Sequence, residues 1–539
     1  MTLIFRTLVS RVSLAVGGTL ALAALIAVPA AAQQAGKCEV LGAGSKFGKA
    51  TIVSAVVMPG GADDLPSYCR LLVIAKPKPS SHIVIEVALP DPNKWNGRLL
   101  GVGNGGSAGS IEPGSLEGGL RRGFAVVTTD MGTYPAAMPD VGFSFGNGRP
   151  EAIADWGHRA THEMTVLAKA LIQRYYGRPQ ERAYFSGCST GGSQGWMEAQ
   201  RYPADYDGII IGAPANNRTH LHTRFAALRK LGMQAGAAMS AAQMKIWTNA
   251  ALKACVGKDG GAPSDTFLTN PLQCHVKPRE VMCKSGQDSA TCLQEPQVRA
   301  LEAIYDGTRN PRSGELIYYG EAVGSETQIT AVYGDTLLAR AFNINHWVLP
   351  PTRFSESFDF DRDLDLLDER FAGSVNAMNP DLSSFAARGG KIIVYHGWED
   401  GLIPGTDTID FFQSVHARGT DRNAFARLFM VPGMGHCAGG SGASFLGQAS
   451  MFPKGTHDND LFVALDRWST SGIAPDVVIA SKYAGMPKAG TVPLATRPIC
   501  AFPLSAHYDG SGDANKASSY SCKPMGQAKV ERPAERYLR

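Results

Sequence analysis

An α/β architecture, with a mostly parallel sheet covered by helices and broken by a long insertion, is predicted by three observations. Short β-branched apolar runs alternate with helical periodicity from residue 82 to Ala215. The alternation lapses over 216–387 and resumes at Lys391. The 539 residues are 44% hydrophobic and 19% charged, ample for a large packed core and contrary to a disordered or fibrous chain.

The elements follow in order. Ile83–Val87, Arg98–Val102 and Phe124–Thr128 read as strands, the last ending at Asp130. Trp156, Ala160, Met164, Leu167, Leu171 and Tyr175 recur at three- and four-residue steps, which predicts a helix closed by Gly177. A strand Ala183–Phe185 runs into Ser186-Gly187-Cys188-Ser189-Thr190-Gly191-Gly192, followed by a helix through Trp196 and Met197 and a strand Gly208–Ile211. Residues 216–387 read as irregular, with four cysteines, prolines and scattered aromatics. Strands return at Lys391–His396 and Arg427–Val431. The predicted organisation is therefore a core from 33–215 and 388–539, with 216–387 inserted over one end of the sheet.

The N-terminus reads as an export signal. Arg6 and Arg11 precede the apolar stretch Val12–Val28, and Ala30-Ala31-Ala32 offers a cleavage site before Gln33. A membrane anchor is the competing reading; the small-residue site directly after the stretch favours removal of 1–32 and a secreted or periplasmic protein. The remainder carries 50 basic and 48 acidic residues, no footprint for nucleic acid, and no later run long enough to span a membrane. Ten cysteines, with no CxxC pair, suit an oxidising compartment. Cys38–Cys69, Cys255–Cys274, Cys283–Cys292 and Cys500–Cys522 would each close a short loop, leaving Cys188 and Cys437.

Gly187-Cys188-Ser189-Thr190-Gly191 is a G-x-S-x-G sequence between a predicted strand and a predicted helix. Glycines allow the reversal that leaves a serine hydroxyl exposed in a strained turn, the nucleophile elbow of α/β-hydrolases. Serine needs a base oriented by an acid, in the chain order serine, acid, histidine. Asp400 and Glu399 compete for the acid after Lys391–His396; His436 is the base, in the glycine-rich loop after Arg427–Val431. His416, His457 and His507 follow no such strand, and His396 reads as structural. Because Cys188 precedes Ser189 and Cys437 follows His436, a Cys188–Cys437 disulfide would tie nucleophile to base. Two free thiols, or Cys188 as nucleophile, are the alternatives weighed against it.

These residues resemble the tannase and feruloyl esterase family of α/β-hydrolases. The likeness rests on Gly187–Gly192, His396-Gly397-Trp398-Glu399-Asp400, Gly435-His436-Cys437 and the ten cysteines, which match the family's five-bridge spacing. It implies Asp400 rather than Glu399 as the acid, a lid domain over the pocket and aromatic ester substrates. Feruloyl esters lead, with tannase or terephthalate monoester hydrolase as alternatives. A non-catalytic binding protein on this fold typically lacks a triad member, and all three stand here. No cofactor is required for the chemistry.

The oxyanion donors are expected to be the Thr190 backbone N–H and that of Gly105 or Gly106, in a run similar to the family's. By the resemblance, Asp259 and Asp265 are candidate ligands of a structural calcium between Cys255 and Cys274. Val256 replaces the usual aspartate and Lys258 adds a positive charge, so a metal-free loop held by its disulfide stays open. Candidate acyl-binding residues are Phe342, Trp347 and Phe354 in the insertion, with Trp398 and Ile403 flanking Asp400. No polar cluster in the insertion matches three galloyl hydroxyls, which predicts a preference for hydroxycinnamoyl or simple benzoate-type esters.

Overall fold

The computed structural model describes residues 37–538 apart from 63, 110, 112–113, 134–141, 350–356, 449–453, 489 and 527–529. The signal segment and Phe354 lie outside the described residues. Ten strands form the central sheet. They are β1 (Lys46–Phe47), β2 (Ala50–Met58), β3 (Tyr68–Ala75), β4 (Ile83–Pro90), β5 (Arg98–Val102), β6 (Ala125–Thr129), β7 (Arg182–Cys188) and β8 (Gly208–Gly212), then, beyond the insertion and its short hairpin of β9 (Thr308–Arg309) and β10 (Leu316–Tyr318), β11 (Lys391–Gly397) and β12 (Ala426–Val431).

The sheet order is β1-β2-β3-β4-β6-β5-β7-β8-β11-β12. From β6 to β12 every neighbour is parallel, whereas β1 to β4 and the β4–β6 pair are antiparallel. The parallel strands are apolar runs because helices cover both faces. In β8, Ile209 and Ile211 enter one core and Ile210 the other. The helix Ala160–Tyr176 lays Met164, Leu167, Leu171 and Tyr175 on the first core and ends at Gly177, whose φ of 76° makes the left-handed cap that glycine adopts readily. Truncating Leu171 to alanine there would cost about 2–5 kcal/mol.

Three features depart from the sequence reading. The sheet begins before residue 82, with an antiparallel flank in β1–β3. Two further hairpins follow β12, Val477–Lys482 with Ala495–Cys500 and Leu504–Tyr508 with Tyr520–Pro524. The insertion is substantially helical, with Arg218–Gly232, Ala241–Cys255 and Glu295–Asp306 as its longer helices.

All ten cysteines are bonded: Cys38–Cys69, Cys188–Cys437, Cys255–Cys274, Cys283–Cys292 and Cys500–Cys522. Among the described residues no helix is long and apolar enough to cross a membrane.

Candidate active site

The parallel strands place their carboxyl ends side by side, and the chemistry-bearing residues collect there. Ser189 stands between β7 and the helix Thr190–Arg201, with φ 63° and ψ −116°. A non-glycine residue in that region stores about 1–3 kcal/mol of strain and must be held. Its N–H donates to Gly212 O at 3.0 Å, and its carbonyl accepts from Ser193 N and Ala215 N, each at 3.1 Å. A Cβ on Gly187 would lie 2.5 Å from the Gly191 backbone, and one on Gly103 2.7 Å from Gly191 Cα. The two sides of the turn and the loop after β5 thus meet backbone to backbone around the serine.

The Cys188–Cys437 bridge, with Cα atoms 5.8 Å apart, joins this turn to the loop after β12. In that loop His436 Nδ1–H donates to Asp400 Oδ2 at 2.7 Å. The other Asp400 oxygen accepts from Leu402 N and Ile403 N at 2.9 and 3.0 Å. Burial raises the Asp400 pKa, but the charge of His436 and hydrogen bonds from His396 and His436 outweigh it and hold the carboxyl below its ordinary range. Burial likewise pulls His436 down, and the Asp400 carboxylate more than offsets it, so the imidazole's proton affinity is raised.

The neighbouring carboxyl is otherwise engaged. Glu399 bonds the Ser441 hydroxyl through Oε1 and accepts from Ser441 N at 3.0 Å through Oε2. His396 sits at the strand end, bonded to Thr408 Oγ1 at 2.8 Å and Ile403 O at 2.9 Å.

The insertion also grips both loops. Gln328 Oε1 accepts the His436 backbone N–H at 3.0 Å. The acid's loop lies so close that a Cβ on Gly401 would sit 2.7 Å from Ile329 N. Arg224 Nη1 donates to Leu402 O at 3.1 Å.

A narrow pocket opens between these parts, lined by Ser189, His436, Thr190 and Gly106 and walled by Phe143, Phe225, Phe342, Leu221, Leu402, Ile403 and Ala215, with Arg218 and His222 also facing it. Burial, then the charge of Arg218, pushes the His222 pKa down to about 3, so this histidine is neutral. Thr190 Oγ1 donates to Gly106 O at 2.6 Å, whereas Gly105 does not line the pocket.

Of the expected acyl-binding residues, Phe342 and Ile403 face the pocket. Trp347 sits behind it, packed against Phe143, Phe145 and Trp156, with its indole N–H on Phe143 O at 2.8 Å. Trp398 is buried beside Gly405, away from the pocket. Both large rings belong to the core.

Arg218, Leu221, His222 and Phe225 carry no motif that marks them in the sequence, although their spacing of three, one and three is one face of a helix. Phe143, from the turn Gly142–Gly146, is likewise unmarked in the sequence.

In the Asp259–Asp265 loop both carboxylates have protein partners. Asp265 is paired with Arg497 at 2.8 and 3.2 Å, and Arg497 lies over the Phe267 and Tyr520 rings. Asp259 accepts the N–H groups of Gly261, Thr269 and Asn270. Among the described residues no three His, Cys, Asp or Glu side chains cluster to hold a metal, and calcium takes six to eight oxygens.

The family model described as tannase and feruloyl esterase matches residues 69–523. The chain belongs to this family. It is similar to an uncharacterized esterase of Xanthomonas campestris pv. campestris, 36% identical over 536 residues and covering 90% of each chain. A mono(2-hydroxyethyl) terephthalate hydrolase of Piscinibacter sakaiensis is 30% identical, covering 85% of each. The crystal structure of feruloyl esterase B from Aspergillus oryzae superposes with a TM-score of 0.82 at 27% identity, over 91% of this chain and all of that one. The tannase and feruloyl esterase family member described here is a carboxylic ester hydrolase of α/β fold.

Proposed function

We propose that Ser189, His436 and Asp400 hydrolyse esters of aromatic acids through an acyl-enzyme. The observation that carries the reading is the narrow pocket in which Ser189 and His436 meet the rings of Phe143, Phe225 and Phe342. A flat acyl group packs between rings. His436 Nε2 takes the Ser189 proton as Oγ attacks the carbonyl carbon, while Asp400 fixes the tautomer and stabilises the imidazolium. The carbonyl oxygen gathers negative charge, held by the Thr190 and Gly106 backbone N–H groups. Collapse breaks the ester C–O bond and His436 returns the proton to the alcohol. Water, activated by the same base, then cleaves the acyl-enzyme.

Hydroxycinnamoyl and simple benzoate-type acyl groups suit this pocket better than galloyl. Arg218 commits one amino group to Thr190, and the neutral His222 imidazole stands beside it, so the wall offers few polar partners, suited to one phenolic hydroxyl. Three hydroxyls would lose water and gain too few bonds in return. The predicted signal segment and the five disulfides support a secreted or periplasmic protein. Arg497 takes the place of a cation in the Asp259–Asp265 loop.

Two measurements test this. A serine-directed phosphonate should label Ser189, and Ser189→Ala should abolish both label and turnover. In a kcat/KM panel of methyl ferulate, methyl gallate and mono(2-hydroxyethyl) terephthalate, methyl ferulate should lead; a clear win for methyl gallate would overturn the acyl preference while leaving the esterase chemistry standing.

A further inference from the structure

Arg218, the first residue of the helix Arg218–Gly232, brings a charge to the pocket. It is 4% exposed, and burial pushes its guanidinium down to about 9, still cationic at neutral pH. A buried cation is ordinarily matched by a carboxylate. Among the described residues no carboxylate pairs with Arg218. Its Nη2 donates to Thr190 Oγ1 at 2.6 Å, its Nε has no partner, and the guanidinium rests over the Trp156 ring at 4.8 Å. Thr190 Oγ1 in turn donates to Gly106 O at 2.6 Å. One guanidinium therefore stands behind the two peptides that flank Ser189 in the pocket.

We propose that Arg218 is the positioning residue of the oxyanion hole: through the Thr190 hydroxyl it locks the Thr190 and Gly106 peptides in register, and its unmatched charge complements the anion that forms at the ester carbonyl only during acyl transfer. The proposal rests on the assignment of Ser189, Thr190 and Gly106 above.

A permanent carboxylate would cancel the field of Arg218 in the free enzyme and in the transition state alike. With none among the described residues, the charge gains its partner when the tetrahedral oxyanion appears, so it favours that state over the bound ester. The apolar walls strengthen the effect by excluding water.

The groups facing Arg218 agree. His222, one turn along the same helix, is neutral. Tyr318 of β10 acts on it as a phenol bonded to Asp407, and Trp156 offers only a ring face. His436, from the loop after β12, has its proton affinity lowered by Arg218 and raised more strongly by Asp400. Lysine could not substitute, since a buried ammonium sheds its proton readily and lacks the planar fork.

The test uses the full mature chain and four variants, Arg218→Met, Arg218→Lys, Thr190→Val and Thr190→Ser, each checked by circular dichroism. Turnover is measured on methyl ferulate and on mono(2-hydroxyethyl) terephthalate, whose acyl group carries a carboxylate. Arg218→Met should lower kcat about tenfold to hundredfold on both esters with KM within about threefold, the loss typical of a displaced oxyanion donor. It should also move the acid limb of kcat/KM to higher pH, because a positive charge near His436 is removed. Thr190→Val should lose kcat similarly, Thr190→Ser should recover most of it, and Arg218→Lys should not.

A loss confined to the terephthalate ester would overturn the proposal and make Arg218 the partner of an acyl carboxylate. So would a loss in KM alone, or equal kcat for Thr190→Val and Thr190→Ser. That pair decides the matter if Arg218→Met does not fold, since it leaves the arginine in place. Absence of phosphonate label at Ser189 in the wild-type chain overturns the underlying assignment instead; label with unchanged Arg218→Met kinetics overturns this proposal alone.

Discussion

Two disulfide-bridged loops solve similar problems with different means. The Cys188–Cys437 bridge spans 249 residues and joins the turn of Ser189 to the loop of His436. The Cys255–Cys274 bridge spans 19 residues and closes a loop whose interior is an ion pair, Asp265 with Arg497. In the first, glycine crossings and a carboxylate–imidazole bond meet at the proposed active site; in the second, a guanidinium lies over two rings and pairs with a buried carboxylate. The contrast shows that a covalent tie reveals nothing of a loop's role until the charges inside it are known.

The sharpest way to break this contrast is at the acid. Asp400→Asn should cost about 10⁴-fold in kcat by disturbing the His436 tautomer, whereas Glu399→Gln, bonded to Ser441, should cost less than about tenfold. Equal losses would show that the two carboxyls share the role. Asp400→Asn should also shift the acid limb of kcat/KM to lower pH. Asp400 raises the proton affinity of His436, the base works only when neutral, and loss of the carboxylate lets it deprotonate earlier.

Next comes the bridge itself. Replacing Cys188 and Cys437 with alanine should lower kcat about a hundredfold, the scale of a misplaced catalytic group, with far-UV circular dichroism preserved at 25 °C. Peptide mapping of the wild-type chain that finds either thiol free would end this argument. Replacing Cys255 and Cys274 should leave kcat within about threefold but remove about 3 kcal/mol of stability, as loop entropy predicts for a short ring.

Smaller in activity again is the ion pair. Arg497→Met leaves Asp265 buried and unpaired, which should cost about 3–5 kcal/mol of stability with little change in turnover, read as a lowered Tm. The smallest expected effect is that of EDTA. A chelator should leave Tm unchanged, because a guanidinium occupies Asp265; a drop reversed by added calcium would contradict the account of this loop.

Much of the core was legible from residues because chemistry demands particular neighbours. Ser189 needs glycines around it, and Asp400 and His436 need the ends of strands, so their positions could be read from β7, β11 and β12. The pocket wall was not legible for a physical reason. The helix Arg218–Gly232 is buried nearly all round, with Arg218, His220, His222, Thr223 and Arg224 inside, so it shows no apolar stripe against a polar face. A polar helix inside a protein looks like a loop in sequence. Trp347 and Trp398 failed in the opposite sense, since ring size signals burial without saying against what. The β2–β3 pair lies outside the βαβ alternation that marks the other strands, although Tyr68–Ala75 alternates buried and half-buried positions along most of its length.

The bond from Gln328 to the His436 backbone, with Gly401 pressed against Ile329 and Arg224 on Leu402 O, bears on how such enzymes could diversify. The segment that walls the pocket also holds the loops of His436 and Asp400, the proposed base and its acid. Grafting this insertion between relatives as an interchangeable cassette would transplant a specificity wall and, with it, the registration of two thirds of the triad. Altered selectivity is better sought one side chain at a time, at Leu221, Phe225 and Phe342, than by exchange of the whole segment.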